Sequence, residues 1–181
     1  MQLDTSYVFA ETLRDGTAVT VRAASAHDGP KIRRAFLNLE RDTVYTRFFG
    51  SKADVSDAEL GRVTGADFER SVALLVTIGT GEDEVVIGGA SYFVNGCDAA
   101  TGRSAELAFT VEEDFQRRGI GSLLMRHMIA IARVKGLDRL EADVLSRNRP
   151  MLNVFRRCGL PMAVRHEGDV IHVILSLREA G

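Results

Sequence analysis

The sequence predicts a single domain of the α/β (α+β) class, with about seven strands and about four helices in the order β-α-α-β-β-β-α-β-α-β-β. Three observations support this class. The 181 residues are 45% hydrophobic, which suits one core of ordinary size. Short segments of alternating apolar and polar residues are interspersed with longer segments whose apolar residues recur at helical spacing. The chain also shows no internal repeat, low-complexity segment or interdomain linker.

The first segment of the chain lacks a clear pattern. Residues 1–16 are mixed in composition and end in Arg14-Asp15-Gly16, which is typical of a turn. We therefore expect a loosely held N-terminal extension at 1–16 and the folded domain at 17–178.

The first half of this domain begins with a strand and two helices. Alternation predicts the strand, and Ile32, Phe36 and Leu39 recur at helical spacing in the first helix. Ser56 followed by Glu59 is a capping-box pattern that marks the start of the second helix. The predicted bounds are 17–23, 28–39 and 56–63.

The second half alternates between strands and two further helices. Three strands joined by glycine-containing loops predict an antiparallel meander. The longest helix begins near Ile120 and ends at Gly136, and the last helix is opened by Arg149-Pro150. The predicted strands are 72–78, 85–94, 105–111, 140–145, 162–166 and 170–177, and the last helix spans 148–158.

Bulk properties narrow the class of function. A net charge of -2 and a pI near 6.1 argue against a nucleic-acid partner, and no apolar run is long enough to span a bilayer. With two cysteines and no signal peptide, we expect a reduced, cytoplasmic protein. We expect no metal site, because metal-ligand spacing is absent from the four histidines, His27, His127, His166 and His172.

The segment 112–121 joins the strand over 105–111 to the longest helix. A helix start carries free backbone N–H groups and the positive end of the helix dipole, and glycines at 119 and 121 let an anion approach them. Arg117 and Arg118 add positive charge. The alternative is an ordinary strand-to-helix turn with solvated arginines. A dinucleotide fingerprint would need a third glycine where Leu124 stands, and the Gly-Lys-Ser/Thr of a Walker loop is absent.

The pattern Gln116-x-x-Gly119-x-Gly121 resembles the coenzyme A pyrophosphate loop of the GNAT (GCN-related N-acetyltransferase) superfamily. The element order and the segment from Asn148 to Gly159 are similar to the GNAT fold over 17–178, which implies one mixed, mostly antiparallel central sheet flanked by helices. The resemblance implies acetyl-CoA as cosubstrate. Its predicted contacts are Phe109, Thr110, Val111, Gln116, Arg117, Arg118, Gly119, Ile120, Gly121, Ser122 and Asn148. Asn148 is equally suited to cap the last helix.

Transfer to an amine requires a base, because an ammonium group with a pKa near 10.4 must lose its proton first. Glu106 is the candidate: it shares a strand face with Ala108 and Thr110, and a glutamate at this point is the proposed base in many relatives. A solvent-facing carboxylate is the alternative. Phe155 stands where many GNAT enzymes have a tyrosine, so no general acid is evident, and water or Ser146 is left for that role. Cys158 has no histidine placed to activate it, so we expect direct attack in a ternary complex.

The acceptor is suggested by a narrower resemblance. Arg47-Phe48-Phe49 and the segments 105–111 and 148–152 look like the catalytic domain of bacterial Pat-type protein lysine acetyltransferases. This implies a protein lysine as acceptor, such as one of an acyl-CoA synthetase. Residues suited to a cationic acceptor, or to a solvated helix end, are Glu40, Asp42 and Tyr45. Three alternatives stay open: a small-molecule amine N-acetyltransferase, a non-catalytic acyl-CoA sensor, and an interaction domain that binds no coenzyme.

Overall fold

The computed structural model describes residues 3–39, 55–100 and 102–178. This part of the chain forms one eight-stranded sheet and four α-helices. The strands are β1 (Val8–Thr12), β2 (Ala18–Ala23), β3 (Ser71–Ile78), β4 (Val85–Asp98), β5 (Gly102–Val111), β6 (Arg139–Leu145), β7 (Met162–Glu167) and β8 (Val170–Ser176). The helices are α1 (Gly29–Leu37), α2 (Asp57–Thr64), α3 (Ile120–Val134) and α4 (Arg149–Arg156).

The sheet has the strand order β1-β2-β3-β4-β5-β6-β8-β7, and its neighbours are antiparallel except for β5 and β6. Pairing between β4 and β5 extends from Asp98 opposite Gly102 to Gly88 opposite Val111. The parallel pairing of β5 with β6, in contrast, runs only from Ser104 to Glu106. Beyond this point β6 continues against β8 alone, so the sheet opens between β5 and β6.

The core lies mainly between this sheet and α3. The apolar side of α3 includes Leu124, Met128 and Ile131, each with 0% exposure, and they pack in one cluster with Leu107 and Leu140 of the sheet. Burial of such a side chain contributes roughly 1.5–3 kcal/mol. A second layer covers the other face, where apolar residues of α1 and α2 pack on Ala73 and Leu75 of β3 and on Val86 of β4. Two covered faces explain why the five successive residues of β3 from Val72 to Val76 are all apolar.

The main difference from the prediction is at the N-terminus. Strand β1 pairs antiparallel with β2 along its whole length, so part of the predicted extension belongs to the sheet as an eighth strand. Tyr7 and Leu13 at its ends are buried, and Val8 on its outer face is 60% exposed. The strand is short and lies at the sheet edge, so its sequence pattern is weak. The predicted turn is the hairpin that joins β1 to β2, where Gly16 has a φ of +87°.

The other elements begin and end close to their predicted positions. The hairpin of β4 and β5 is longer than expected, because pairing continues past Gly96, where the register shifts. The aromatic connection at 41–50 lies outside the described residues. None of the helices in the described ranges is both long and apolar enough to cross a membrane. Within the same ranges, no group of three or more His, Cys, Asp and Glu side chains is arranged to hold a metal.

Candidate active site

A cleft of about 820 Å³ opens where β5 and β6 separate. Its walls are the end of β5, the loop that follows, the start of α3 and one side of α4. Among the predicted base and the predicted coenzyme contacts, all residues except Arg118 line it. The lining residues among them are Glu106, Phe109, Thr110, Val111, Gln116, Arg117, Gly119, Ile120, Gly121, Ser122 and Asn148.

The edge of β5 presents backbone groups to this cleft. The Glu112 N–H donates to the Ile87 carbonyl (3.0 Å), and Thr110 lies opposite Gly89 in the same register. Backbone groups of a strand point alternately to its two sides. Since those of Thr110 and Glu112 face β4, the N–H groups of Phe109 and Val111 face the side where β6 has already moved away.

The loop before α3 has a backbone that side chains rarely tolerate. Gly119 is the N-cap with a φ of +95°, and Arg117 has a φ of +63° although it carries a side chain. Because the N-cap is a glycine, it offers no side chain to cap the first turn of α3. The first N–H groups of the helix, together with the positive end of its dipole, therefore remain available to an anion. This arrangement fits a diphosphate.

The second glycine of the motif has a packing role as well. A Cβ on Gly121 would lie 3.2 Å from Cγ2 of Val154, which is closer than ordinary van der Waals contact. Gly121 therefore lets α4 approach α3 closely. A similar approach occurs below the loop, where a Cβ on Gly88 would lie 3.0 Å from Cγ2 of Ile120. The absence of side chains at Gly121 and Gly88 thus allows the start of α3 to pack closely against α4 and β4.

The polar side chains of the loop point in different directions. Gln116 donates from Nε2 to the Val111 carbonyl (3.2 Å) and so ties the loop to the end of β5. Arg118 forms an ion pair with Asp15 (3.1 Å), and its guanidinium lies 4.9 Å from the centroid of the Phe115 ring. It therefore faces the hairpin turn of β1 and β2 and not the cleft.

Asn148 fulfils the capping role that was considered for it. Its Oδ1 accepts a hydrogen bond from the Met151 N–H (3.2 Å) at the start of α4, and the residue also lines the cleft. Capping and coenzyme contact are thus compatible, because the cap uses the amide oxygen and leaves the amide nitrogen as a donor.

Phe155, which stands where the resemblance predicts a tyrosine, has apolar surroundings. Phe155 is 1% exposed and packs against Phe109, with ring centroids 6.0 Å apart in an edge-to-face arrangement. Ser146 is outside the lining of the cleft, and the described lining contains no tyrosine, histidine or cysteine. Burial raises the pKa of the Cys158 thiol, which disfavours the thiolate that a nucleophile would need.

Three arginines that were not predicted also line the cleft: Arg14, Arg147 and Arg157. Arg147 directly precedes Asn148, so the Asn148 motif could have indicated that Arg147 lies at the site. Arg14 comes from the turn between β1 and β2, and only the packing of this hairpin against the loop brings it to the site. With Arg117, these residues give the cleft a cationic rim in a chain of net negative charge.

A second cavity of about 500 Å³ lies on the face of the sheet that α1 and α2 cover. It is lined by α1, α2 and strands β3 to β5, with mainly apolar walls that include Ile32, Leu60 and Val63. Both cavities share the residues on one face of β5, namely Glu106, Ala108 and Thr110. The small side chains at 108 and 110 leave space next to the carboxylate of Glu106.

Glu106 is exposed, and its carboxylate makes no hydrogen bond or ion pair with any side chain of the described ranges. Its neighbour on β6 is different: the Glu141 carboxylate lies 2.6 Å from Arg139 Nε and 3.4 Å from His172 Nε2. Of these two adjacent glutamates, Glu106 is therefore the one available to a substrate. The proposed acceptor residues Glu40, Asp42 and Tyr45, and the segment Arg47-Phe48-Phe49, lie outside the described residues.

Comparison with known proteins gives consistent results. The family model described as Acetyltransferase (GNAT) family matches residues 39–160. Among solved structures, the GNAT domain of S. lividans Pat superposes with a TM-score of 0.82 at 28% identity, over 93% of this chain and 96% of that domain. An acetyltransferase of Pseudomonas aeruginosa is 27% identical over 168 residues, or 91% of this chain and 87% of the relative. The acetyltransferase Pat of Mycolicibacterium smegmatis is 47% identical over 55 residues, which are 30% of this chain and 16% of that protein.

Proposed function

The chain belongs to the GNAT acetyltransferase family, and we propose that it transfers the acetyl group of acetyl-CoA to a protein lysine, with Glu106 as the general base. That the protein is an acetyltransferase follows from its family and from the relatives named above. The base, the coenzyme contacts and the acceptor are the parts that we propose.

The position of Glu106 between two cavities carries this proposal. Its face of β5 borders both the cleft that ends at the start of α3 and the cavity beneath α1 and α2. A coenzyme in the first and an amine in the second would meet beside this carboxylate. Both reactants would then be held together in one complex, as direct attack requires.

Glu106 would remove the proton that prevents attack. At pH 7 a lysine ammonium with a pKa near 10.4 is about 3.4 units from its midpoint, which corresponds to roughly 4.6 kcal/mol. A carboxylate within reach, directly or through one water, lowers this cost by accepting the proton as the amine attacks. The space left by Ala108 and Thr110 suits either arrangement.

The rest of the cleft fits the coenzyme. The uncapped start of α3 would hold the diphosphate through backbone N–H groups of Gly119, Ile120, Gly121 and Ser122, with Arg117 beside them. The coenzyme supplies a thioester-bound acetyl group. The N–H groups of Phe109 and Val111 face the region between the strands, where they would pair with the pantetheine arm and donate to the thioester oxygen.

The lysine acceptor is supported by the similarity to Pat proteins and by the shape of the second cavity. Apolar walls that lead to a carboxylate suit a side chain with an aliphatic stem and an amine at its end. We propose a lysine of a protein such as an acyl-CoA synthetase as the natural acceptor. A small-molecule amine with an apolar body is the alternative that shares this chemistry.

Replacement of Glu106 by glutamine tests the catalytic role. We expect kcat to fall at least about 100-fold, the usual range for loss of a general base, while the Kd for acetyl-CoA changes less than about twofold. Steady-state kinetics and isothermal titration calorimetry measure the two quantities. Glu141→Gln is the matched control, because Glu141 is adjacent on β6 but absent from the lining of both cavities. Equal losses of kcat and coenzyme affinity, or no loss in either, would contradict the assignment.

The acceptor is tested with labelled acetyl-CoA against acyl-CoA synthetases, lysine peptides and small amines. The highest kcat/KM for a protein lysine would support the proposed acceptor. A higher kcat/KM for a free amine would support the small-molecule acceptor instead. Tight coenzyme binding without transfer to any acceptor, together with no effect of Glu106→Gln, would identify a sensor.

A further inference from the structure

We propose that Arg14, in the turn between β1 and β2, is a phosphate-binding residue that contacts the diphosphate of the coenzyme at the start of α3. This inference rests on the proposed use of acetyl-CoA. It adds a residue from outside the loop motif, contributed by a hairpin more than a hundred residues away along the chain.

The side chain of Arg14 lies across the glycine that begins α3. A Cβ placed on Gly119 would be 3.3 Å from Nε, 3.4 Å from Cγ and 3.5 Å from Cδ of Arg14. Arg14 is also exposed and lines the cleft on this side. Its guanidinium is therefore near the same N–H groups that are free to bind an anion.

The hairpin turn is held in place by its own hydrogen bonds. The Leu13 N–H donates to the Thr17 carbonyl (2.9 Å), and Asp15 Oδ1 accepts from the Thr17 N–H (3.0 Å). Two contacts then join the turn to the loop: the Arg14 N–H donates to the Arg118 carbonyl (3.4 Å), and Arg118 pairs with Asp15 (3.1 Å). These contacts place the backbone of Arg14 beside the start of the helix.

The two arginines at this junction have different partners. Arg118 is neutralised by Asp15 and stacks on Phe115. The guanidinium of Arg14 has no hydrogen bond or ion pair with the part of the chain that the structure describes. A planar guanidinium can bind two phosphate oxygens at once, and its charge adds to that of the helix dipole. Arg118 thus secures the turn, and Arg14 is left to bind the ligand.

A purely structural role for Arg14 predicts a different result. In that case its aliphatic stem would only cover Gly119, and a neutral side chain of similar length would serve equally well. Arg14→Met retains the stem and removes the charge, and Arg14→Lys retains the charge and removes the planar fork. Comparison of these variants separates charge from packing.

Calorimetric titration of acetyl-CoA into the full chain tests the proposal. We expect Arg14→Met to raise the Kd about tenfold at low salt, with a smaller effect at high salt, and Arg14→Lys to fall between it and the wild type. Arg165→Met, on the distant strand β7, is the control and leaves the Kd unchanged. Melting temperatures of the unliganded variants show whether any loss comes from unfolding.

Dephospho-acetyl-CoA, which lacks the 3′-phosphate, identifies the phosphate involved. The tenfold effect persists with this ligand if Arg14 contacts the diphosphate, and its disappearance would overturn that assignment. An Arg14→Met variant that binds within twofold of the wild type, while the wild type binds acetyl-CoA, would refute the inference alone. A wild-type chain that does not bind acetyl-CoA would refute the proposed function as well.

Discussion

The two helices that border the cleft begin in different ways. At α4, Asn148 caps the first turn through its side-chain oxygen, and Pro150 occupies a position in that turn where its missing N–H has no consequence. At α3, the N-cap is Gly119 in a left-handed conformation, and this residue has no side chain that could cap the first N–H groups. The N-cap residue of α4 supplies a side-chain cap, and the N-cap residue of α3 does not.

This contrast supports the proposal that the start of α3 is the phosphate site. Arg117, two residues before Gly119, is also held at a positive φ, a conformation that costs about 1–3 kcal/mol for a residue with a side chain. A sequence selected only for stability would remove such strain and cap the helix, as it does at α2 with Ser56 and Glu59. A strained residue next to a helix start without a side-chain cap is typical of a functional site.

Gly119→Val should have the largest effect on coenzyme affinity. Valine at a φ of +95° is strained, and its β-carbon would press on the Arg14 side chain and obstruct the approach to the N–H groups. We expect the Kd for acetyl-CoA to rise at least about 100-fold, since two or more charge-assisted hydrogen bonds are lost. Calorimetric titration measures this change.

Gly168→Val is the control for backbone strain. Gly168 also has a positive φ, of +59°, but it lies in the turn between β7 and β8 with no atom within 4 Å of an added β-carbon. Both variants should lose a similar amount of stability, about 1–3 kcal/mol, and Gly168→Val alone should retain normal affinity. Equal affinity in the two variants would show that the start of α3 is not the phosphate site.

Asn148→Ser should have an intermediate effect, because it separates the two roles of this residue. Serine caps helices as well as asparagine does, so we expect the free energy of unfolding to stay within about 0.5 kcal/mol of the wild type. The amide donor is lost, and the Kd for acetyl-CoA should rise about fivefold. Asn148→Ala should show the same loss of affinity and an additional loss of about 1 kcal/mol of stability. A normal Kd for acetyl-CoA in the serine variant would show that Asn148 acts only as a helix cap.

Features of the site that depend on sequence neighbours can be predicted from the sequence, and features that depend on distant packing cannot. The loop at 112–121 and the cap at Asn148 depend on neighbours within a few residues, so spacing and residue type were sufficient to identify them. The opposite directions of Arg118 and Arg14 depend on the packing of a hairpin against the loop, which no local pattern records. Strand β1 was missed because a short edge strand has few buried residues, and it is the strand that brings Arg14 to the site.

Asp28→Asn should have the smallest effect on the coenzyme, because α1 begins away from the cleft. Burial opposes the ionisation of Asp28, but hydrogen bonds from Arg22 and Ser25 outweigh it and lower its pKa to about 2. A lowered pKa stabilises the fold above the ordinary value near 3.8, and this contribution disappears as the pH falls toward 2. We therefore expect the free energy of unfolding of the variant to be about 2 kcal/mol lower at pH 7, with a difference from the wild type that narrows below pH 4.

Urea unfolding measures this free energy. The control is Asp57→Asn, at an exposed residue, with an expected loss below about 1 kcal/mol. A Kd for acetyl-CoA that rises as much as in Asn148→Ser would show that the start of α1 is coupled to the cleft, and that the start of α3 does not act alone.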